Sequence, residues 1–106
     1  MAQTFTNAVA NNVTTVTTVY TAPASTTSVV IGLVIANDAG SDTTVTVSAV
    51  KGSTTVNLLN TAPLPSGSNL SVFSNNNRLV LLTGNSISVT AAASVDVIAS
   101  VMEITA

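Results

Sequence analysis

Between Ser28 and Asn37 the chain reads Ser-Val-Val-Ile-Gly-Leu-Val-Ile-Ala-Asn. Side chains of an extended strand alternate between two faces, so Val30 and Val34 would share one face while Val29, Ile31, Leu33 and Ile35 occupy the other. Both faces are apolar, whereas a strand at the surface of a small domain ordinarily needs only one. Whatever fold the chain adopts must cover this stretch twice.

The residues around it favour sheet. From Val13 onward the sequence is dominated by Val, Ile and Thr, punctuated by Gly, Asn, Asp and Pro. β-Branched side chains lose rotamer freedom in a helix and pack well on a pleated surface. No stretch carries an apolar stripe at the helical period. The expected strands are Val13–Tyr20, Ser28–Asn37, Thr43–Val50, Thr54–Leu59, Asn69–Phe73, Arg78–Leu82, Ser86–Ala91 and Val95–Ile104, with turns at Asp38–Asp42, Lys51–Ser53, Asn75–Asn77 and Thr83–Asn85. Pro63 and Pro65 exclude their segment from a central position, because proline lacks the backbone donor. Short strands at this spacing predict an all-β fold, an antiparallel, jelly-roll-like β-sandwich of roughly eight strands. Residues 1–12 read as an N-terminal arm whose large apolar residue is Phe5, able to dock on its own domain or on a neighbour; residues 13–106 read as one sandwich domain.

Thr43–Val50 shows the one-sided pattern, with Val45, Val47 and Ala49 alternating with Thr44, Thr46 and Ser48. The last strand, like Ser28–Asn37, does not: Val95, Val97, Ala99 and Val101 take one face, and Ile98, Met102 and Ile104 the other. Full burial of one such side chain is worth about 1.5–3 kcal/mol, and several left in water would invite aggregation. Either a folded-over loop such as Thr61–Asn69 covers the second faces, or another chain does. Short loops favour the second reading. The expected interface residues are Phe5, Val30, Val34, Ile98, Met102 and Ile104, and the expected partners are sister subunits in a homo-oligomer.

Composition narrows the function. Only two basic and four acidic side chains are present, 6% of the chain, against about 25% in an ordinary soluble domain. That balance excludes the clustered Lys and Arg of a nucleic-acid binder and a polybasic membrane patch. The longest apolar run lies within Val29–Ala36, well short of the roughly 20 residues of a spanning helix, and Met1–Ala10 has no basic or apolar region of a secretion signal. Cysteine and histidine are both absent, which removes thiolate chemistry, disulfides and the commonest general base and metal ligand.

The remaining motifs are better explained by structure than by chemistry. Asn37–Asp42, "NDAGSD", places two carboxylates and a glycine in one loop, but the spacing is not that of a calcium loop and suits a turn. Asp96 and Glu103 are seven apart on one strand and face opposite sides. No serine has a histidine partner, a nucleophile elbow or an S-x-x-K lysine. Lys51 reads as a turn residue, and Arg78 as an ion-pairing residue at the start of a strand. The repeats "VTTVTTV" and "TTVTVS" resemble threonine rows of ice-binding surfaces but do not persist along the chain. No catalytic residue, cofactor or metal site is expected.

The order of features carries a resemblance. Tyr20-Thr21-Ala22-Pro23 is followed by a strand ending in Asn37 before Gly40-Ser41, a turn at Pro65-Ser66-Gly67-Ser68, Leu81-Leu82-Thr83-Gly84-Asn85-Ser86-Ile87-Ser88-Val89, and a final Val95-Asp96-Val97 strand. Over Thr18–Ile104 this resembles a group of small β-sandwich virion proteins of tailed bacteriophages, with Asn85 where an Asp is frequent. The resemblance implies a non-enzymatic capsid decoration (cement) protein, located in the virion after assembly in the host cytoplasm. Its partners would be sister subunits and other virion proteins, above all the major capsid protein, without nucleic acid or membrane. A tail, collar, baseplate or fibre subunit is the alternative within the same group. A carbohydrate or host-receptor binding module is the alternative outside it, and would need an aromatic platform from Phe5, Tyr20 and Phe73.

Overall fold

The computed structural model describes residues 2–73 and 78–105. Among these residues nine strands follow one another: β1 (Ala2–Val13), β2 (Thr17–Thr21), β3 (Thr26–Asn37), β4 (Thr43–Lys51), β5 (Thr54–Leu64), β6 (Asn69–Ser71), β7 (Leu79–Leu81), β8 (Ser86–Ala91) and β9 (Val95–Thr105). Sheet A has the order β1-β9-β3-β6, with β7 also paired to β3, and sheet B the order β2-β8-β4-β5. Every pairing is antiparallel. The chain passes repeatedly between the sheets, in the jelly-roll manner expected from the residue pattern.

The core is the layer between the sheets. Sheet A contributes Val30, Leu33 and Ile35 from β3 and Val95, Val97, Ala99 and Val101 from β9. Sheet B answers with Val45 and Val47 from β4 and Ile87, Val89 and Ala91 from β8. These are the alternating apolar positions of each strand, so the period of two puts one set inside and sends its neighbours out.

Val30 departs from the sequence expectation. It is 0% exposed in the core and therefore does not share an outer face with Val34, which points away from sheet B. The cause is a bulge: Val30 pairs with Val101 and Gly32 with Ser100, so Ile31 is an extra residue opposite β9. One extra residue exchanges the faces of everything beyond it. Val30, Leu33 and Ile35 all point inward as a result, while Val29 and Val34 point outward. Gly32 was the available signal, since an isolated glycine within a strand often marks a bulge.

The segment 1–12, read as an arm, is strand from Ala2 onward: β1 docks on its own domain, and Ala2 to Ala10 pair one for one with Thr105 to Val97 of β9. "VTTVTTV" is consequently not one strand. It straddles the crossover from β1 in sheet A to β2 in sheet B, which breaks any continuous threonine row. At the crossover Asn12 adopts a left-handed φ of 52°, its N–H donates to Asp96 Oδ1 and Ser94 Oγ donates to its side-chain oxygen. β5 runs on to Leu64 and includes Pro63, which its edge position permits. The turn expected at Asn75–Asn77 lies outside the described residues.

The motif residues that carry the sequence resemblance hold the ends of the sandwich. Buried Asn37 donates from Nδ2 to the carbonyls of Ser41 and Leu64 and accepts at Oδ1 from Ala39 N–H. Its backbone N–H donates to Ser68, and its carbonyl accepts from Gly67. One residue thus ties three segments together, its side chain joining the β3–β4 turn to the end of β5 and its backbone holding the Pro65–Ser68 turn. At the other end Ala22 N–H donates to Asn85, and Gly84 N–H donates back to Ala22, with Gly84 at a φ of 84° that favours glycine. Among the described residues no buried side-chain polar atom lacks a hydrogen-bond partner.

Leu33→Ala should lower the unfolding free energy by about 2–5 kcal/mol in chemical denaturation, as expected for a fully buried leucine. Val34→Ala, on the adjacent outward position, should cost less than about 1 kcal/mol under the same conditions. Equal costs at the two positions would contradict the register set by the bulge.

Candidate functional site

The two outer faces of the sandwich differ sharply in chemistry. On sheet B the outward positions of β4 and β8 are Thr44, Thr46, Ser48, Val50, Ser86, Ser88 and Thr90, all but Val50 hydroxylic, with exposed Val16 beside them, and Ser48 Oγ donates to Asn57 Oδ1 of β5. Hydroxyls hydrate well, so this face suits water without charge.

Sheet A presents the opposite surface. The pairing registers place Val80, Val29, Met102 and Phe5 in one row across β7, β3, β9 and β1. A second row holds Val34, Ile98 and Val9. Between them lies a short polar row of Gly32, Ser100 and Asn7. Phe5 is 73% exposed and Val9 69%, and Val80, Ile31 and Ile98 are also exposed. Val29, Val34, Met102 and Ile104 are half-buried, covered by their neighbours in the sheet. The Thr61–Asn69 segment does not cover this face, because Thr61–Leu64 belongs to β5 in sheet B and Pro65–Ser68 turns beside Asn37. Strands β1, β3 and β9 contain two charged residues, Asp96 and Glu103. Asp96 pairs with Ala36 at one end of the face, and Glu103 points the other way, toward sheet B.

Of the residues expected at an interface, the structure places Phe5, Val34, Ile98, Met102 and Ile104 together on this face and puts Val30 in the core. Sequence reading missed Val9, Val29, Ile31 and Val80. Val9 went unseen because its segment was read as an arm, although it stands four residues after Phe5 and so shares its parity on a strand. The bulge concealed Val29 and Ile31.

The other candidate groups are structural. Asp42 Oδ1 accepts the Ser66 N–H and braces the Pro65–Ser68 turn, and Asp38 is exposed. Among the described residues no group of three or more acidic, Cys or His side chains converges on a point that could hold a metal. Lys51 is exposed at the β4–β5 turn, next to Gly52. Nor do the three aromatic side chains share a face. Phe5 lies on the outside of sheet A, Phe73 packs against the core, and Tyr20 bridges the two sheets.

Tyr20 is the polar tie across the sandwich. From β2 in sheet B its hydroxyl donates to Glu103 Oε2 on β9 and meets Ser28 Oγ on β3 at 2.7 Å, and Ser28 and Glu103 are paired neighbours in sheet A. Burial raises the Tyr20 pKa, and the hydrogen bond to Glu103 and its negative charge raise it further, against a smaller opposing effect of Ser28. The phenol is therefore held in its neutral form.

No protein-family model matches the sequence, and no curated protein matches it. Among solved structures, the chain is similar to one of the Bacillus endospore appendages, described as a novel family of disulfide-linked pili. The TM-score is 0.53 at 16% identity, over 98% of this chain and 87% of that one. At that identity the likeness is one of fold, an all-β sandwich shared nearly end to end. Among the described residues no helix is long and apolar enough to cross a membrane.

An unfolded tyrosine gives up its proton near roughly pH 10, where the folded chain still holds it, so the stability that Tyr20 contributes is full below that pH and is lost as pH rises from there through the raised folded value. The chain has one tyrosine and no tryptophan, so phenolate absorbance reads Tyr20 alone. Its midpoint should lie above that of free tyrosine. Tyr20→Phe should lose this part of the alkaline dependence and cost about 1–3 kcal/mol, because buried Ser28 loses a partner. An unshifted midpoint would contradict the tie.

Proposed function

We propose that this protein is a structural subunit of a multi-subunit particle, joined to its neighbours through the outer face of sheet A. The observation that carries the reading is the contrast between the faces: hydroxyl-rich on sheet B, and on sheet A two apolar rows with a single carboxylate at the margin. A chain with so few charges has little else to keep that face from associating. Covering it with a neighbour turns a liability into binding energy, at about 1.5–3 kcal/mol for each large side chain fully buried.

Two further points support the class. The shared fold is one that subunits of the endospore pili use. The covalent linkage named for those pili has no counterpart here, since this chain lacks cysteine, and its assembly would rest on burial and hydrogen bonds alone. The turn motifs that resemble small phage virion proteins favour a finer reading within the class: a non-catalytic decoration protein on a phage head, held to sister subunits and to the major capsid protein. In a repeated lattice each contact can be modest, because every subunit is held at several points. A tail, collar, baseplate or fibre position uses the same surface in fewer copies. A glycan-binding role finds less support, because Phe5, Tyr20 and Phe73 form no common platform.

The test is incorporation. Ile98→Lys should fold like the wild type, with stability within about 0.5 kcal/mol, because Ile98 already faces outward. It should nevertheless fail to enter particles that take up the wild-type chain. Copy number in purified particles then separates a head lattice, with hundreds of chains, from a tail or neck position, with a few dozen at most. Wild-type incorporation of Ile98→Lys would overturn the assignment of this face, and glycan-array binding by the monomer would favour the receptor-binding alternative.

A further inference from the structure

The outer face of sheet A ends at β1, and the free edge of β1 differs from every other edge of the sandwich. β2 has five residues and a register slip between Thr18 and Tyr20. β5 carries Pro63, a left-handed Thr61 with φ 53°, and two register breaks against β4. β6 and β7 have three residues each. These are the devices by which proteins prevent edge-to-edge pairing: short strands, proline and bulges. β1 has none of them from Ala2 to Ala10. It pairs with β9 without a break, contains no proline and no charge, and among the described residues no strand pairs with its other edge over that length.

The sequence of β1 is also self-complementary. In an antiparallel pair, directly opposite residues lie on the same face. A two-fold axis through Asn7 sets Phe5 opposite Val9 of the second copy, Thr6 opposite Ala8, Thr4 opposite Ala10 and Gln3 opposite Asn11, and brings the two Asn7 amides together. Apolar meets apolar on the outer face, and an aromatic–β-branched pair is among the favourable cross-strand contacts. Moving the axis by one residue, to Thr6 or Ala8, puts both Phe5 and Val9 opposite amide side chains instead.

We infer that two copies of this chain join edge to edge through β1, antiparallel about Asn7, to make one continuous sheet. This deepens the reading of the protein as a structural subunit and rests on it, by naming the partner at this margin of the face: a second copy. Strand addition supplies main-chain hydrogen bonds, and the side-chain pairs fix the register. In that register the row Val80–Val29–Met102–Phe5 of one copy runs on into Val9–Ile98–Val34 of the other. The apolar surface becomes a single stripe across the dimer, and two of the most exposed apolar side chains, Phe5 and Val9, are covered at the seam.

Because the chain has no cysteine, a single introduced thiol reports geometry without interference. Opposed strand residues lie within disulfide reach, so Asn7→Cys should convert fully to a covalent dimer under mild oxidation, while Val56→Cys on the exposed β5 strand stays monomeric. Sedimentation equilibrium of the wild type should give twice the chain mass. Phe5→Lys should return it to the monomer mass, and adding Val9→Glu should restore the dimer by placing opposite charges face to face. Cross-linking of Asn7→Cys no better than that of Val56→Cys would overturn the pairing. If particles form while that cross-link fails, the β1 seam falls and the structural-subunit reading stands. If the cross-link forms while Ile98→Lys enters particles normally, the seam stands and the outer-face assignment falls.

Discussion

β3 lies between β9 on one side and the short strands β6 and β7 on the other, and its register with β9 decides which half of each strand is core. The extra residue at Ile31 is the hinge of that decision. Ahead of it Val30 points inward, and beyond it Leu33 and Ile35 do, so an apolar run that would otherwise split its large side chains between faces delivers Val30, Leu33 and Ile35 to the interior. The inner layer is satisfied by this arrangement. The residues left over, Val29, Ile31 and Val34, are apolar too, and they meet Met102 and Ile98 of β9 on the outside. The surplus follows from placing two doubly apolar strands side by side at the centre of one sheet.

The rest of the molecule is arranged around that surplus. Polar side chains are spent at the two ends of the sandwich, where Asn37 gathers three segments at one and the Tyr20–Ser28–Glu103 bridge joins the sheets at the other. Sheet B keeps its exterior largely hydroxylated, with Val16 and Val50 as apolar exceptions. Neither device covers the outer face of sheet A, and the chain carries too few charges to make that face strongly hydrated. In the proposed assembly the chain would gain stability by association, since each neighbour would remove from water an area that folding leaves exposed.

Much of this was legible in the residues. β-Branched content, turn chemistry and the alternation in Thr43–Val50 and Ser86–Ala91 led to the antiparallel sandwich, and β9 has the inside–outside split that its pattern implies. The bland reading of Asn37–Asp42 as turn chemistry matches its hydrogen bonds. What the sequence concealed has physical causes. A bulge changes parity without changing composition, so Val30 and Val34 looked equivalent when only Val34 faces out. β1 looked like an arm because its residues are small or polar apart from Phe5 and Val9, and an edge strand held largely by backbone bonds to β9 needs no strong apolar signal of its own. Its pairing partner lies at the far end of the chain, beyond the reach of any local pattern.

On the proposed reading, neighbours stabilise the native chain through a surface that the isolated fold leaves in water. The most direct measurement is the thermal unfolding midpoint of the wild-type chain across a wide range of protein concentration. Linkage requires the midpoint to climb with concentration if association buries that surface only in the native state. A midpoint that stays fixed across the range, with the chain monomeric throughout, would contradict the account.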